Sequence, residues 1–221
     1  MATSLAPGYR VIVLDQRSHG RSERGNDHSR SAYVEDAAAF IQTLDLGPLI
    51  VLGHSMGGVN AYQLAARHPD LVRALVIEEA GAVVREPVLD VRGWPRRTTT
   101  IDGLRAAIEA HGIPDASYFL DSAVEYDDGW GLLCDYDAMM ASQYALLGDW
   151  WSDWLASTCP ALLLHGQDSA VLTTELAREM AAQRPLTELR EFPGCGHFVH
   201  DDDPEEFARA VAGFLAGLER S

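Results

Sequence analysis

Short apolar runs alternate with segments of helical spacing in the first and last parts of this 221-residue chain. Apolar runs occupy 9–15, 49–52, 75–77, 161–164 and 189–192, and helical spacing occurs at 31–44, 56–67, 174–183 and 204–218. Helices that separate buried strands have to cover both faces of a sheet, because the strands would otherwise expose apolar side chains. The alternation therefore predicts an α/β fold with a doubly wound, mostly parallel sheet.

The alternation is interrupted between about residues 84 and 157, where Trp, Tyr and Asp are frequent. Four of the five tryptophans lie in the second half of this stretch: Trp130, Trp150, Trp151 and Trp154. A chain of this length accommodates one domain with a small inserted subdomain. We therefore expect a core formed by 1–84 and 157–221, and a mostly helical cap or lid over 85–156.

A Gly-x-Ser-x-Gly motif, Gly53-His54-Ser55-Met56-Gly57, lies directly between a predicted strand and a predicted helix. Glycines on both sides permit the tight turn from which a nucleophilic serine protrudes, and the helix N-terminus stabilises negative charge there. This context predicts Ser55 as a nucleophile and the Met56 N–H as an oxyanion donor. The alternative is a Gly/Ser turn without chemistry.

The general base for such a serine is expected to be His197, in Gly194-Cys195-Gly196-His197 after the last predicted strand. Among eight histidines, His197 alone combines glycine neighbours, a loop after a strand and a C-terminal position. His200 is expected to be a surface or capping residue. Cys195 beside His197 raises the possibility of a Cys–His nucleophile, which the competing serine motif disfavours.

Three motifs resemble landmarks of the α/β-hydrolase superfamily: Asp15-Gln16-Arg17-Ser18-His19-Gly20-Arg21-Ser22, Gly53-His54-Ser55-Met56-Gly57-Gly58 and Gly194-Cys195-Gly196-His197. They are most similar to those of cap-bearing esterases, lactonases, C–C hydrolases, cofactor-free haloperoxidases and proline iminopeptidases. The resemblance implies an α/β-hydrolase fold with a helical cap. It also implies a carboxylic-ester-type serine hydrolase that acts on a small ester, lactone or related carbonyl compound through an acyl-enzyme on Ser55. No metal or organic cofactor is implied.

The resemblance leaves two candidates for the acid that orients His197. One position follows the strand before the penultimate helix, where Asp168 is the single carboxylate but lies one residue early, before Ser169. The other follows the strand after the nucleophile helix, where Glu78 and Glu79 stand and Glu79 matches better. Asp168 is slightly preferred, and Glu79 is the alternative.

The resemblance also implies that the chain begins inside the fold. Family members precede the motif at Asp15 with three strands, a His-Gly oxyanion loop and a helix, so a gap in the sheet and the loss of one oxyanion donor are expected. Three explanations are considered, in order of preference: an upstream segment missing from the sequence, a partner chain such as a second copy, or a re-paired, reduced fold. A catalytically impaired or small-molecule-binding homologue, or a perhydrolase or lyase with the same triad, is the alternative function.

Composition restricts the partners and the location. A formal net charge of −16 disfavours nucleic acid, because the phosphate backbone would be repelled. Three cysteines without metal-type spacing favour a reducing, cytoplasmic location, and neither a signal peptide nor a membrane-spanning run is present in the sequence. The expected partner is a small-molecule substrate, partly apolar because the predicted cap is rich in aromatic residues.

Overall fold

The computed structural model describes residues 8–220. Its helices are α1 (Arg30–Thr43), α2 (Met56–Arg67), α3 (Ile101–Glu109), α4 (Ser117–Leu120), α5 (Tyr136–Leu146), α6 (Trp151–Ala156), α7 (Thr174–Gln183), α8 (Val199–Asp202) and α9 (Pro204–Leu218), with a 3-10 turn at Pro69–Leu71. Its strands are β1 (Leu49–His54), β2 (Val72–Glu78), β3 (Val83–Val84), β4 (Ala123–Tyr126), β5 (Gly129–Leu132), β6 (Gly148–Asp149), β7 (Ala161–Gly166) and β8 (Thr187–Phe192).

The main sheet has four strands in the order β1-β2-β7-β8, and all of its pairs are parallel. This confirms the predicted α/β fold class with a parallel sheet. The four long helices and four of the five strands expected from sequence are present, each within a few residues of its predicted limits. Parallel strands place their carboxyl ends at one edge, where the loops after β1, β2, β7 and β8 meet.

Both faces of this sheet are covered. On one face, Val76, Leu162 and Leu164 pack with Phe207 and Val211 of α9 in a buried cluster. Successive strand residues point to opposite faces, so the fully buried Leu75, Ile77 and Leu163 face the other side. There, α2 packs so closely that a Cβ on Gly58 would lie 3.2 Å from Ile77 Cγ2. Continuous apolar strands are stable because neither face meets water.

The described chain divides into two compact units. The first contains residues 8–13, 34–85 and 147–220, with the main sheet, and the second contains residues 14–33 and 86–146. The second unit has its own buried cluster, in which Trp94, Leu104 and Ile108 pack with Tyr136. It holds α3, α4 and α5 together with an antiparallel β4–β5 hairpin.

The prediction of a buried strand over 9–15 is wrong. No strand is assigned there, and the side chains of Val11, Ile12, Val13 and Leu14 are exposed, Val13 to 81%. Within the described residues β1 has β2 as its one strand neighbour, so the sheet ends at β1. An apolar run favours extended backbone, but it becomes a strand when a neighbouring strand accepts its backbone hydrogen bonds.

No helix among the described residues is both long enough and apolar enough to cross a membrane.

Candidate active site

Ser55 occupies a strained turn at the carboxyl end of β1. Its φ and ψ are 53° and −122°, a region that side chains rarely adopt, and its N–H donates to the Glu78 carbonyl at 2.9 Å. A Cβ on Gly53 would collide with the Gly57 backbone, so the turn can close because that position is glycine. Met56 is the first residue of α2, where a backbone N–H has no acceptor within the helix. This is the geometry expected of a nucleophile elbow.

Glu79 follows β2 directly, and its side chain is fully buried. Its φ of 52° turns the chain out of the strand. One carboxylate oxygen, Oε1, accepts hydrogen bonds from His165 Nδ1 at 2.9 Å and from the Gly166 N–H at 2.8 Å. The other oxygen, Oε2, lies 3.3 Å from His197 Nδ1. The structure thus brings a buried carboxylate from β2 to the imidazole that follows β8.

The surroundings of Glu79 keep it ionised. Burial raises its pKa, but hydrogen bonds from His165, His197, Ser169 and the Gly166 N–H outweigh that effect and hold the pKa at about 2. An ionised carboxylate only accepts hydrogen bonds, so His197 Nδ1 has to carry a proton. In neutral His197, the lone pair is then on Nε2, where a general base needs it.

The loop with His197 also contacts the residue before the elbow. His54 Nε2 lies 2.8 Å from the His197 carbonyl oxygen, and the two imidazole centroids are 4.6 Å apart. Burial, the largest cause, lowers the pKa of His54 to about 4, so at neutral pH its ring is uncharged and its N–H donates to that carbonyl. His197 is therefore positioned beside the turn that presents Ser55.

Asp168, the acid slightly preferred from sequence, has no hydrogen bond or ion pair to His197 within the described structure. Its side chain is exposed, and its backbone N–H donates to the Cys195 carbonyl at 2.9 Å. The tight turn in which the Ser169 N–H donates to the Gly166 carbonyl brings the hydroxyl of Ser169 to Glu79. The geometry reverses the sequence-based preference, since the alternative, Glu79, meets the imidazole.

Cys195 lacks the surroundings of a nucleophilic thiol. Its side chain is buried, and burial, together with the nearby carboxylates of Asp202, Asp203 and Asp168, raises the pKa of the thiol. Reactive cysteines have lowered pKa values, because a thiolate is the attacking species. The geometry favours the serine motif over a Cys–His pair.

Sequence reasoning missed two further contacts. His200, expected at the surface, lies against the buried Glu78, with Nδ1 at 2.7 Å from Oε1. His165 joins Glu79 to the Thr174 hydroxyl, which lies 2.8 Å from Nε2. The sequence signal for these contacts was the pair of adjacent glutamates at the end of a buried strand, because buried carboxylates need hydrogen-bond partners. Within residues 8–220, no group of three or more His, Cys, Asp or Glu side chains could hold a metal ion.

A model of the alpha/beta hydrolase family matches residues 1–210. The chain belongs to the alpha/beta hydrolase family, as its parallel sheet and strand-end residues indicated.

Several relatives of this chain are named as hydrolases. The 2-(acetamidomethylene)succinate hydrolase of Mesorhizobium japonicum is 27% identical over 222 residues, covering 96% of this chain and 80% of that protein. An sn-1-specific diacylglycerol lipase of Mus musculus is 27% identical over 227 residues, covering 95% of this chain and 72% of that protein. The structure of a marine microorganism esterase matches with a TM-score of 0.78 at 23% identity, covering 96% of this chain and 87% of that one. These similarities support a hydrolase with the α/β-hydrolase fold.

Proposed function

We propose that this chain is a serine hydrolase that cleaves a small ester, lactone or related carbonyl compound through an acyl-enzyme on Ser55. His197 is the general base, Glu79 orients it, and the Met56 N–H is an oxyanion donor. Glu79 thus takes the role for which the sequence slightly preferred Asp168.

The observation that carries the proposal is the contact between Glu79 Oε2 and His197 Nδ1 at 3.3 Å, beside a serine with φ 53°. Carboxylate, imidazole and serine follow three different strands of one parallel sheet, at its carboxyl edge. The strained backbone of Ser55 is a further support, because such conformations persist mainly where function requires them.

The proposed reaction begins when His197 Nε2 removes the Ser55 Oγ proton as Oγ bonds to the carbonyl carbon. The charge that develops on the carbonyl oxygen is stabilised by the Met56 N–H at the helix terminus. His197 then returns the proton to the leaving group, and the acyl group stays on Oγ. A water, deprotonated by the same Nε2, attacks that ester; the bond from Oγ to the acyl carbon then breaks, His197 returns the proton to Oγ, and the acid departs. Glu79 remains ionised throughout and stabilises the imidazolium.

The proposed substrate class follows from this chemistry and from the relatives. One relative is named as a hydrolase of 2-(acetamidomethylene)succinate and another as a lipase for diacylglycerol. Esters and lactones share the reacting carbonyl, so simple acyl esters are suitable first substrates.

A fluorophosphonate probe tests the proposal, because it phosphonylates only a serine that a neighbouring base activates. We expect stoichiometric labelling of the wild-type protein, none in Ser55→Ala, and labelling slowed by at least about 100-fold in His197→Gln. Ser152→Ala, at an exposed position in α6, is the matched serine control and should still be labelled. Hydrolysis of p-nitrophenyl acetate should follow the same order. A folded wild-type protein that remains unlabelled would refute the proposal and favour a non-catalytic homologue.

A further inference from the structure

Beside Glu79, the fold buries a second carboxylate that the proposed reaction does not use. The Glu78 side chain has no exposed surface. Its Oε1 accepts two hydrogen bonds from His200, from the backbone N–H at 2.9 Å and from Nδ1 at 2.7 Å. Its Oε2 is buried and has no hydrogen-bond partner among the described residues. Burying a carboxylate that is only half satisfied is unfavourable, so retaining it calls for a reason.

Glu78 binds the start of α8, and Glu79 binds the loop directly before it. Side chains of adjacent strand residues do not ordinarily reach one short segment in this way. Side chains of successive residues in a strand point to opposite faces. Here β2 ends at Glu78, and the left-handed φ of Glu79 rotates the next side chain. Glu79 consequently reaches His197, while Glu78 reaches His200 three residues later.

The backbone of Glu78 also contacts the nucleophile elbow. Its carbonyl oxygen accepts the Ser55 N–H at 2.9 Å, while its side chain holds His200. On the same loop, the His197 carbonyl lies 2.8 Å from His54 Nε2, and the Phe198 ring lies 5.4 Å from the His54 ring. Glu78 is therefore a bridge between the turn that carries Ser55 and the loop that carries His197.

We propose that Glu78 and His200 form a pair that positions His197. The pair fixes the loop before α8 so that His197 Nδ1 stays on Glu79 and His197 Nε2 faces Ser55. This inference rests on the proposed function. The hydrogen bond to Glu78 is the largest cause that raises the pKa of His200, so the contact favours the protonated imidazole. Reaction rates depend steeply on such positioning, because a displacement of about 1 Å can cost on the order of 100-fold.

The test compares His200→Phe, which fills the site without a donor, with His200→Asn, whose side-chain N–H₂ group can replace Nδ1–H. We expect His200→Phe to lower kcat for p-nitrophenyl acetate by about 10- to 100-fold with KM within about threefold of wild type. His200→Asn should regain most of that loss. His68→Phe is the matched control, since His68 and Glu35 form a His–Glu pair at 3.2 Å that is more exposed and lies elsewhere. Its kcat should stay within about twofold.

A second measurement reports position without catalysis. The proton on His197 Nδ1, shared with Glu79, should give a downfield proton resonance in the wild type that shifts or broadens in His200→Phe and returns in His200→Asn. Should His200→Phe not fold, Glu78→Met, which keeps the length of the side chain but has no oxygen to accept the two hydrogen bonds, is judged by the same criteria. An unchanged kcat and an unchanged resonance in a folded variant that lacks the pair overturn the inference. A loss of kcat in His200→Phe that His200→Asn fails to restore overturns it as well. Absence of fluorophosphonate labelling in the wild type would instead overturn the proposed function, and the resonance still decides the positioning.

Discussion

Glu79 Oε2 and His197 Nδ1 lie 3.3 Å apart although 118 residues separate them in the chain. The contact joins the end of β2 to the loop after β8, across β7, which lies between these strands in the sheet. It is made by a carboxylate with no exposed surface and an imidazole that is 20% exposed. The buried acid is thus held ionised by hydrogen bonds while the imidazole remains accessible from one side.

Replacement of Glu79 should therefore impair the reaction far more than replacement of Asp168. We expect Glu79→Gln to lower kcat by about 10³–10⁴-fold, because a neutral amide no longer selects the tautomer of His197 or stabilises its cation. Asp168→Asn, at an exposed position, should change kcat by less than about threefold. Steady-state kinetics with p-nitrophenyl acetate measure both, and the opposite order would assign the acid to Asp168.

Gly166 should tolerate no side chain. A Cβ there would collide with the Gly196 carbonyl and lie 2.6 Å from the Cys195 carbonyl, at the point where the loop of His197 crosses β7. Gly166→Ala is expected to lower the free energy of unfolding by about 1–3 kcal/mol and to displace the base. Gly213→Ala in α9 is the control, because a Cβ there would meet nothing within 4 Å and alanine favours a helix. Urea denaturation of both variants gives the comparison, and equal stabilities would contradict the crowding at Gly166.

Stability should decrease on acidification below pH 6.5 because of His54. Its pKa is lowered from 6.5 to about 4, so between these values the unfolded chain binds a proton that the folded protein excludes. The contribution of neutral His54 to the free energy of unfolding is complete above pH 6.5 and is lost as the pH falls to about 4. In that range the free energy of unfolding changes by at most about 1.4 kcal/mol per pH unit. The pKa of His200 is raised, so its effect has the opposite sign: its contribution to stability is complete below pH 6.5 and decreases as the pH rises above that value.

Urea denaturation at pH 7, 6, 5 and 4.5 measures this slope. In His54→Gln the slope between pH 6.5 and 4 should be shallower, since glutamine does not titrate. Below pH 4.5 Glu79 adds a further loss, because its pKa is lowered from 4.5 to about 2. Parallel curves for wild type and His54→Gln would show that His54 is not the group responsible.

Cys195 should be dispensable for the chemistry. Its raised pKa leaves little thiolate at neutral pH, and its side chain is buried. Cys195→Ala is expected to keep kcat within about threefold of wild type and to react with the fluorophosphonate probe at full stoichiometry. Iodoacetamide should inactivate the native wild-type protein slowly. Loss of labelling in a folded Cys195→Ala variant would revive the Cys–His alternative.

Much of the fold was predictable because it depends on local pattern. The helices at Met56–Arg67 and Pro204–Leu218 and the strand at Ala161–Gly166 follow from apolar spacing and from glycine and proline at their ends. Ser55 was identifiable for the same reason, since its strained turn needs glycines within two residues of it. These features require few distant contacts.

Local pattern could not establish whether residues 9–15 form a strand. Its apolar residues favour extended backbone, but strand formation depends on a neighbouring edge, and no sequence window contains that neighbour. In the described structure Val11–Leu14 are exposed and the sheet ends at β1.

The sequence by itself determined the alternating elements, the turn at Ser55 and the glycine-flanked loop of His197, because each is specified by residues adjacent in the chain. The tertiary structure decided which carboxylate meets His197. Asp168 and Glu79 both follow buried strands, and their distances from His197 depend on strand register, on the left-handed backbone of Glu79 and on the turn that leaves Asp168 in solvent. Such non-local packing also joined Glu78 to His200, a contact between residues 122 positions apart.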